Sequence, residues 1–310
     1  MSSAQKVQSG TILLRRSMIA ALLVLPSMLC AQEPRAPEIS AQQLVKETVA
    51  HELAAANDDS AKHMFRARKQ TPKGSQTRLY VETNDSMVGM LIAVNDRPID
   101  AQQQKAEMDH LAWLAGNPEQ LRKKRAREKE DADRTLRIVK ALPEAFRYEY
   151  AGTETGETGL GKTGDPLARL KFSPNPNYSP PSRVEQALAG MQGYLLIDAA
   201  ARRIARIDGT LFRDITFGWG IIGHLDKGGH FRVQQADVGD GSWDITAMSL
   251  KMTGKILLFK AISITSDEVF SDFQPVPESL TFAKGVELLK TEQEKLAHAA
   301  NNGAGGNAQR

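Results

Sequence analysis

The sequence feature that most constrains the fold is a run of short strand-like segments between Gly193 and Phe273. Turn-forming residues separate these segments, and Asp226–Gly229 (DKGG) is the clearest of the turns. Because strands joined by short turns pair with their neighbours in sequence, the run predicts an antiparallel meander. We expect its six strands at Gly193–Asp198, Arg203–Leu211, Arg213–Ile222, His230–Val238, Trp243–Met252 and Lys255–Thr265.

The last of these predicted strands, Lys255–Thr265, is apolar on both faces. Leu258 and Ile262 share one of its alternating sides, and Leu257 and Phe259 share the other. A sheet that is apolar on both faces has to be covered on both. The helices predicted elsewhere in the chain are the segments available to cover it, so the sequence indicates an α+β fold.

Helices and further strands are predicted on both sides of the meander. An amphipathic helix follows the N-cap residue Ser40 and ends near position 56. The stretch Asp100–Leu142 predicts two helices with a break at Gly116–Pro118. A capping box at Ser182 opens a short helix that Gly190 ends. We predict a last helix over Ala283–His298 and a disordered tail over Asn301–Arg310. Five more strands are predicted at Met64–Lys69, Thr77–Thr83, Val88–Val94, Arg147–Tyr150 and Leu167–Phe172.

The N-terminal segment has the pattern of an export signal. Arg15 and Arg16 precede the short apolar stretch Ser17–Leu25, and Ala31 provides a small residue at a cleavage position. The apolar stretch is well short of the roughly 20 residues that span a bilayer. We expect cleavage after Ala31, with lipidation of Cys30 as the alternative. Cys30 is the only cysteine of the chain, so this cleavage leaves no thiol for a disulfide or for zinc.

The resulting organisation has four parts. A signal peptide (1–31) precedes an N-terminal helical segment (32–56). A β-sheet domain (57–283) contains a long helical insertion (100–142). A C-terminal helix and the disordered tail complete the chain (284–310).

Net charge gives the exported protein no general attraction to nucleic acid. The 310 residues include 40 Lys and Arg against 37 Asp and Glu, and Lys6, Arg15 and Arg16 are the only charged residues before position 32. Removing these three leaves 37 residues of each sign. Acidic residues follow the basic run Arg122–Lys129 at once, which is typical of a solvated helix face with intrahelical ion pairs. We therefore predict no nucleic-acid partner.

One glycine-rich loop matches a nucleotide-binding pattern. Gly156–Thr163 reads G-x-x-x-x-G-K-[ST], a motif that needs a following helix to direct N–H groups at phosphates. Gly164 and Pro166 would disrupt the first turn of such a helix, and the strand-like Leu167–Phe172 follows. We interpret the loop as a connection between two antiparallel strands and predict no bound nucleotide.

The sequence contains no recognisable catalytic motif. It has neither H-E-x-x-H nor G-x-S-x-G. The candidates for metal ligands surround one turn and are His224, Asp226 and His230. Besides the two histidines, no further strong ligand occurs at a recognisable spacing. We predict that the protein is not an enzyme and that it binds neither a metal nor a cofactor. A hydrolase or metalloenzyme is the alternative, and it requires polar residues that converge in one pocket.

Several motifs in the second half of the chain resemble a known family. They are Asn177–Arg183 (NYSPPSR), Gly193–Asp198 (GYLLID), Phe217–Gly220 (FGWG), Leu257–Lys260 (LLFK) and Phe270–Phe273 (FSDF). The pattern resembles a group of exported bacterial proteins whose fold is similar to the LolA-like superfamily of outer-membrane lipoprotein-sorting proteins. This resemblance implies an unclosed antiparallel β-barrel, with helices that cover its concave face and enclose a hydrophobic cavity. The loop with which carriers of that family hand over their cargo is not recognisable here.

The resemblance also implies a function. We expect a monomeric periplasmic protein that binds a lipid or an acylated protein in the cavity. Association of the protein with the outer membrane is left open. Alternation and position in the predicted strands make Trp219, Phe231, Trp243, Leu258 and Phe259 the candidates for the ligand groove, and ordinary core packing is the alternative for each. The second hypothesis is an envelope sensor or scaffold that binds another protein through its charged helices.

Overall fold

The computed structural model describes residues 39–58, 60–217, 223–239, 241–256 and 260–305. The predicted signal peptide lies outside these ranges, as do Trp219, Leu258 and Phe259. The helices are α1 (Ala41–Ala55), α2 (Ala101–Ala115), α3 (Pro118–Ala145), α4 (Arg183–Gln186), which a 3-10 turn at Ala187–Gly190 follows, and α5 (Phe282–Gly305).

Thirteen strands make up a single antiparallel sheet. The strands are β1 (Lys62–Thr71), β2 (Gly74–Val81), β3 (Val88–Val94), β4 (Arg97–Pro98), β5 (Phe146–Thr155), β6 (Pro166–Pro174), β7 (Met191–Asp198), β8 (Arg203–Leu211), β9 (Ile215–Phe217), β10 (Gly223–Leu225), β11 (His230–Gly239), β12 (Ser242–Ile256) and β13 (Lys260–Val276).

The sheet is not closed. Its strand order is β4-β3-β2-β1-β13-β12-β11-β8-β7-β6-β5, and the β9–β10 hairpin pairs with β12 beside this path. Strands β7, β8 and β11–β13 follow the predicted meander, whereas β1 joins β13 although some 200 residues separate them (Ala67 pairs with Phe270). The predicted fold class, α+β with an unclosed antiparallel barrel-like sheet and covering helices, is confirmed.

The predicted strand Lys255–Thr265 is wrong. Gly254 pairs with Ile262 and Ile256 pairs with Lys260, so the chain reverses between them and the segment belongs to two strands, β12 and β13. Gly254 lies inside β12 instead of at a turn. Glycine is needed there because the backbone of β10 approaches closely: a Cβ would lie 2.2 Å from the His224 carbonyl oxygen. Ile264 is 45% exposed, so the described part of this segment is not covered on both faces.

Two other boundaries differ from prediction. The predicted strand Arg213–Ile222 contains the three-residue β9, β10 begins only at Gly223, and residues 218–222 lie outside the described ranges. The final helix α5 runs to Gly305, into the tail that was predicted to be disordered. The predicted helix break at Gly116–Pro118 is confirmed, because α2 ends at Ala115 and Pro118 is the first residue of α3.

Helices bury apolar side chains on both faces of the sheet, but at opposite ends. Residues paired directly across antiparallel strands point to the same face. Phe231 pairs with Leu250 and Val269 pairs with Ala247, and because Leu250 and Ala247 lie three positions apart on β12, the two pairs point to opposite faces. We call these the Phe231 face and the Val269 face.

Core 1 covers the Phe231 face of β5–β8. Leu44 and Val45 of α1 and Leu142 of α3 pack there against buried strand residues such as Phe172 and Leu195. Core 2 covers the Val269 face of β1–β3, where α2 and α5 pack through residues that include Leu111 and Leu289 onto a group on the strands, Leu79, Val81 and Met90.

Helix α3 connects the two cores. Leu121, near its start, packs against core 2, and Leu142, near its end, belongs to core 1. Within the described ranges, no helix has both the length and the apolar character that crossing a membrane requires.

Candidate functional site

The helices of core 2 leave the Val269 face of the central strands uncovered. Two cavities of about 610 and 530 Å³ lie along this strip, and Val269 and Ser271 of β13 line both of them. We call the combined space the central groove. Ile92, Ile99 and Leu296 form its wall on the core 2 side, and Thr158 and Gly159 of the glycine-rich loop form the opposite wall. Each volume falls within the roughly 300–1,000 Å³ of small-molecule sites.

Val269 is the clearest apolar group in the floor of the groove. It is 53% exposed, more than any other large hydrophobic residue in the part of the chain that the structure describes. Single exposed apolar residues are ordinary, whereas a contiguous apolar strip usually marks a binding site. Val269 is such a contiguous case because its cross-strand partner Ala247 lies beside it, and Ile92 and Leu296 line the same groove.

Two arginines at the groove are paired with carboxylates. Arg68 donates from Nε and Nη2 to the two carboxylate oxygens of Asp96, both at 2.7 Å. These hydrogen bonds lower the pKa of Asp96 and raise the pKa of Arg68. Arg66 Nε lies 3.3 Å from Asp272 Oδ2. Because each cation has an acidic partner, the groove favours an apolar ligand over a free anion.

In the glycine-rich loop between β5 and β6, the N–H groups of three glycines donate to backbone carbonyls of the protein. Gly156 donates to the Asp165 carbonyl at 2.8 Å, Gly164 donates to the Gly156 carbonyl at 2.9 Å, and Gly161 donates to the Gln235 carbonyl on β11 at 2.8 Å. No helix follows the loop, since β6 begins at Pro166. The interpretation of the loop as a connection between antiparallel strands is confirmed.

This loop is built as a wall of the groove. Leu160 is buried with Leu167 and Leu196 in a small third core on the Val269 face, and Thr246 donates its hydroxyl to the Gly159 carbonyl at 2.6 Å. Gly156 is needed for the loop's tight course, since a Cβ there would lie 2.0 Å from the Lys162 carbonyl oxygen. The glycines therefore have a structural explanation that needs no phosphate.

The two predicted groove residues within the described ranges do not lie together. Phe231 lines an apolar void of only about 40 Å³ between α3 and the sheet, with Phe172 and Leu195. Trp243 packs against the third core, where Arg203 lies 5.4 Å from the centre of its ring. Neither residue lines the central groove.

Sequence reasoning missed the residues that do line the groove. The predicted meander ended at Thr265, so Val269 lay outside any predicted strand. A strand pattern that continued to Phe273 was the one available signal, since Val269 and Ser271 alternate with Phe270.

The predicted metal candidates form two separate ion pairs instead of one site. His224 Nε2 lies 3.1 Å from Asp226 Oδ1, whereas His230 Nε2 lies 2.9 Å from Asp208 Oδ1. Burial acts to raise the pKa of Asp208, but hydrogen bonds from Arg232 and His230 outweigh it and hold the pKa below its usual value. The three candidates do not appear together in any group of described residues whose ligand atoms lie within 4.8 Å of one another.

The charged helix α3 has the intrahelical ion pairs that the sequence predicted. Lys123 pairs with Glu119 at 2.6 Å, and Lys129 pairs with Asp133 at 2.9 Å. Glu128 forms an intrahelical pair with Lys124 and also accepts a hydrogen bond of 2.5 Å from the Ser86 hydroxyl in the β2–β3 connection. This part of α3 therefore combines a solvated outer face with a fixed attachment to the sheet.

No protein-family model and no curated protein matches the chain. A solved structure that matches is named as an outer membrane lipoprotein-sorting protein domain from Vibrio parahaemolyticus. It is 10% identical, with a TM-score of 0.28, and the match covers 74% of this chain and 91% of that one. An identity and a TM-score this low assign neither a family nor a function.

Proposed function

We propose that the protein is an exported, non-enzymatic binding protein that holds a lipid or an acylated ligand in the central groove. The observation that carries the proposal is Val269, more than half exposed on the floor of a groove of two adjoining cavities. The periplasmic location belongs to the proposal and rests on the export pattern of residues 1–31. The division into 32–56, 57–283 and 284–310 is likewise proposed.

An acyl chain suits this groove because its binding needs no catalytic group. Each buried CH₂ contributes about 0.8 kcal/mol, from which the ordering of the ligand is subtracted. Val269 and its cross-strand partner Ala247 form the apolar floor along which such a chain would lie, beside the apolar wall residues Ile92 and Leu296.

The test compares two substitutions on one strand. Val269→Glu places a charge on the groove floor, and we expect it to weaken binding of a fluorescent sixteen-carbon fatty acid at least tenfold. Ile264→Glu is the matched control, because Ile264 is also a β-branched, exposed residue of β13 but points to the Phe231 face. Equal effects of the two substitutions would contradict the proposal.

A second measurement uses the unmodified protein. An organic extract of the purified protein should contain acyl lipids that are detectable by mass spectrometry. Absence of lipid, together with failure to bind the fatty acid, would overturn the proposal.

The scaffold hypothesis is supported by a different observation. The interface between α3 and the sheet is filled, with a void of only about 40 Å³, and Arg122 and Arg125 lie exposed on the outer face of α3. It predicts that Arg122→Glu with Arg125→Glu removes cross-links to an envelope protein in cells, while Val269→Glu leaves them unchanged. Charge reversal is a sharper test than deletion of 119–134, since deletion also removes the contact of Glu128 with Ser86.

A further inference from the structure

Three potential metal ligands from distant parts of the sequence meet near one end of the sheet. His63 lies on β1, Glu82 follows the end of β2, and Asp244 lies on β12. Each offers one ligand atom, and these atoms lie within 4.8 Å of one another. Strand β13 separates β1 from β12, so the cluster bridges strands that do not pair directly.

The distances within the cluster are those of ligands rather than of hydrogen-bonded partners. His63 Nδ1 lies 3.6 Å from Asp244 Oδ2 and 3.9 Å from Glu82 Oε2. A hydrogen bond to this nitrogen requires about 2.7–3.2 Å. Two ligands on one tetrahedral ion, with bonds of about 2.0–2.1 Å, lie about 3.4 Å apart. The two distances from His63 exceed this separation by about 0.2 and 0.5 Å, and the ligand atoms of Glu82 and Asp244 lie within 4.8 Å of each other, so side-chain adjustment can bring the three atoms onto a single ion.

We propose that His63, Glu82 and Asp244 form a Zn²⁺ site. One imidazole and two carboxylates are a donor set that zinc accepts, whereas Mg²⁺ and Ca²⁺ prefer oxygen ligands throughout. Three protein ligands leave a fourth position for water or for a ligand atom. A cavity of about 260 Å³, which His63 and Ser242 line, gives an ion access to the cluster.

The surroundings orient the three side chains. His63 is buried, and its ring meets Phe273 edge-on at 6.0 Å between centroids. Asp244 Oδ1 accepts a hydrogen bond from the Ile245 N–H at 2.9 Å, which directs Oδ2 toward His63. Glu82 Oε2 accepts from the backbone N–H of His63 at 2.8 Å. Such outer contacts hold ligands in place before an ion binds.

The cluster sets two carboxylates beside one imidazole, and a bound divalent ion would offset their negative charge. It also ties β1 to β12 across β13, the strand that forms the floor of the central groove.

The experiment titrates Zn²⁺ into protein that has been stripped with EDTA. We expect one Zn²⁺ per chain with a micromolar or lower Kd by calorimetry, and a higher unfolding temperature in its presence. His63→Gln and Asp244→Asn should each weaken binding at least tenfold and remove the Zn²⁺-dependent rise. Asp244→Asn keeps the side-chain shape, so it carries the test where His63→Gln fails to fold.

A histidine outside the cluster provides the control for Zn²⁺ binding. His224→Gln removes a partly exposed histidine from the pair with Asp226 and should leave the Zn²⁺ affinity unchanged. The proposal is overturned when the unmodified protein binds no stoichiometric Zn²⁺, or when His224→Gln loses binding that Asp244→Asn retains. Co²⁺ offers a second readout, since its visible spectrum should report a nitrogen and oxygen donor set that Asp244→Asn alters.

Discussion

Apolar residues are buried at the β5–β8 end of the sheet, whereas on its central strand β13 some of them are exposed. On β6 and β7, Leu170 and Leu195 are fully buried beneath helices, whereas on β13, Val269 and Ile264 are about half exposed on opposite faces. Both regions consist of alternating antiparallel strands, so alternation does not explain the difference. The difference shows that helix coverage decides where this sheet is a core and where it is a surface.

The first way to test this comparison is to remove one large side chain from the packed end. Phe172→Ala should lower the free energy of unfolding by about 3–5 kcal/mol, because it leaves a cavity among Phe146, Tyr148 and Leu195. Val269→Ala should change it by less than about 0.5 kcal/mol. Urea unfolding of both variants measures the contrast, and similar losses would show that the groove floor is part of a core.

The second prediction concerns the attachment of α1 at the packed end. Glu52 accepts hydrogen bonds from Arg203 Nε at 3.1 Å and from the Ile204 N–H at 2.7 Å, and both charged side chains are nearly buried. Glu52→Ala should cost about 1.5–3 kcal/mol, because it leaves a charged donor without its partner. Glu47→Ala is the control, since Glu47 pairs with Arg202 in a more exposed position and should cost about 0–1 kcal/mol.

The third prediction weakens a wall of the groove. Asp100 caps α2 in a capping box with Gln103, and Gln104 of the same first turn lines the groove. Asp100→Ala should lower stability by about 1 kcal/mol and also reduce fatty-acid binding. Asp109→Ala removes only an exposed ion pair with Lys105 and should leave binding unchanged. Loss of stability with unchanged binding would exclude α2 from the site.

The smallest effect is a pH dependence at Asp208. Hydrogen bonds from Arg232 and His230 hold its folded pKa below the unfolded value of about 3.9. The stability that this depression contributes is therefore present above about pH 4 and is lost as the pH falls through the folded pKa. We expect it to be below about 1 kcal/mol. Unfolding temperatures of the protein and of Asp208→Asn should converge as the pH falls from 5 to 2.

Local signals in the sequence predicted much of the fold. The helix break at Gly116–Pro118, the capping residue Ser40 and the strands β7 and β8 all depend on residues close together in the chain. The reversal between Ile256 and Lys260 was missed because the apolar alternation continues through it. The long-range pairing of β1 with β13 carries no local signal at all.

The candidate site was harder to predict for a physical reason. The exposure of Val269 depends on which part of the sheet α2 and α5 cover, and the meeting of His63 with Asp244 depends on the order of strands β1, β13 and β12. Neither can be inferred from periodicity. Large aromatic residues such as Phe231 were chosen from the sequence instead, and the structure uses Phe231 to line the nearly filled void of core 1.

The pairing of β1 with β13 has a consequence for how the chain acquires its structure. Until residues 260–276 have been synthesised, the hairpin β1–β2 presents an open edge that the rest of the chain does not cover. Contacts between such distant segments form slowly, and an uncovered strand edge invites pairing with other molecules. A chain shortened before Lys260 should therefore aggregate instead of folding into a smaller domain, and a chaperone that binds β1 would act at the step where the protein is most vulnerable.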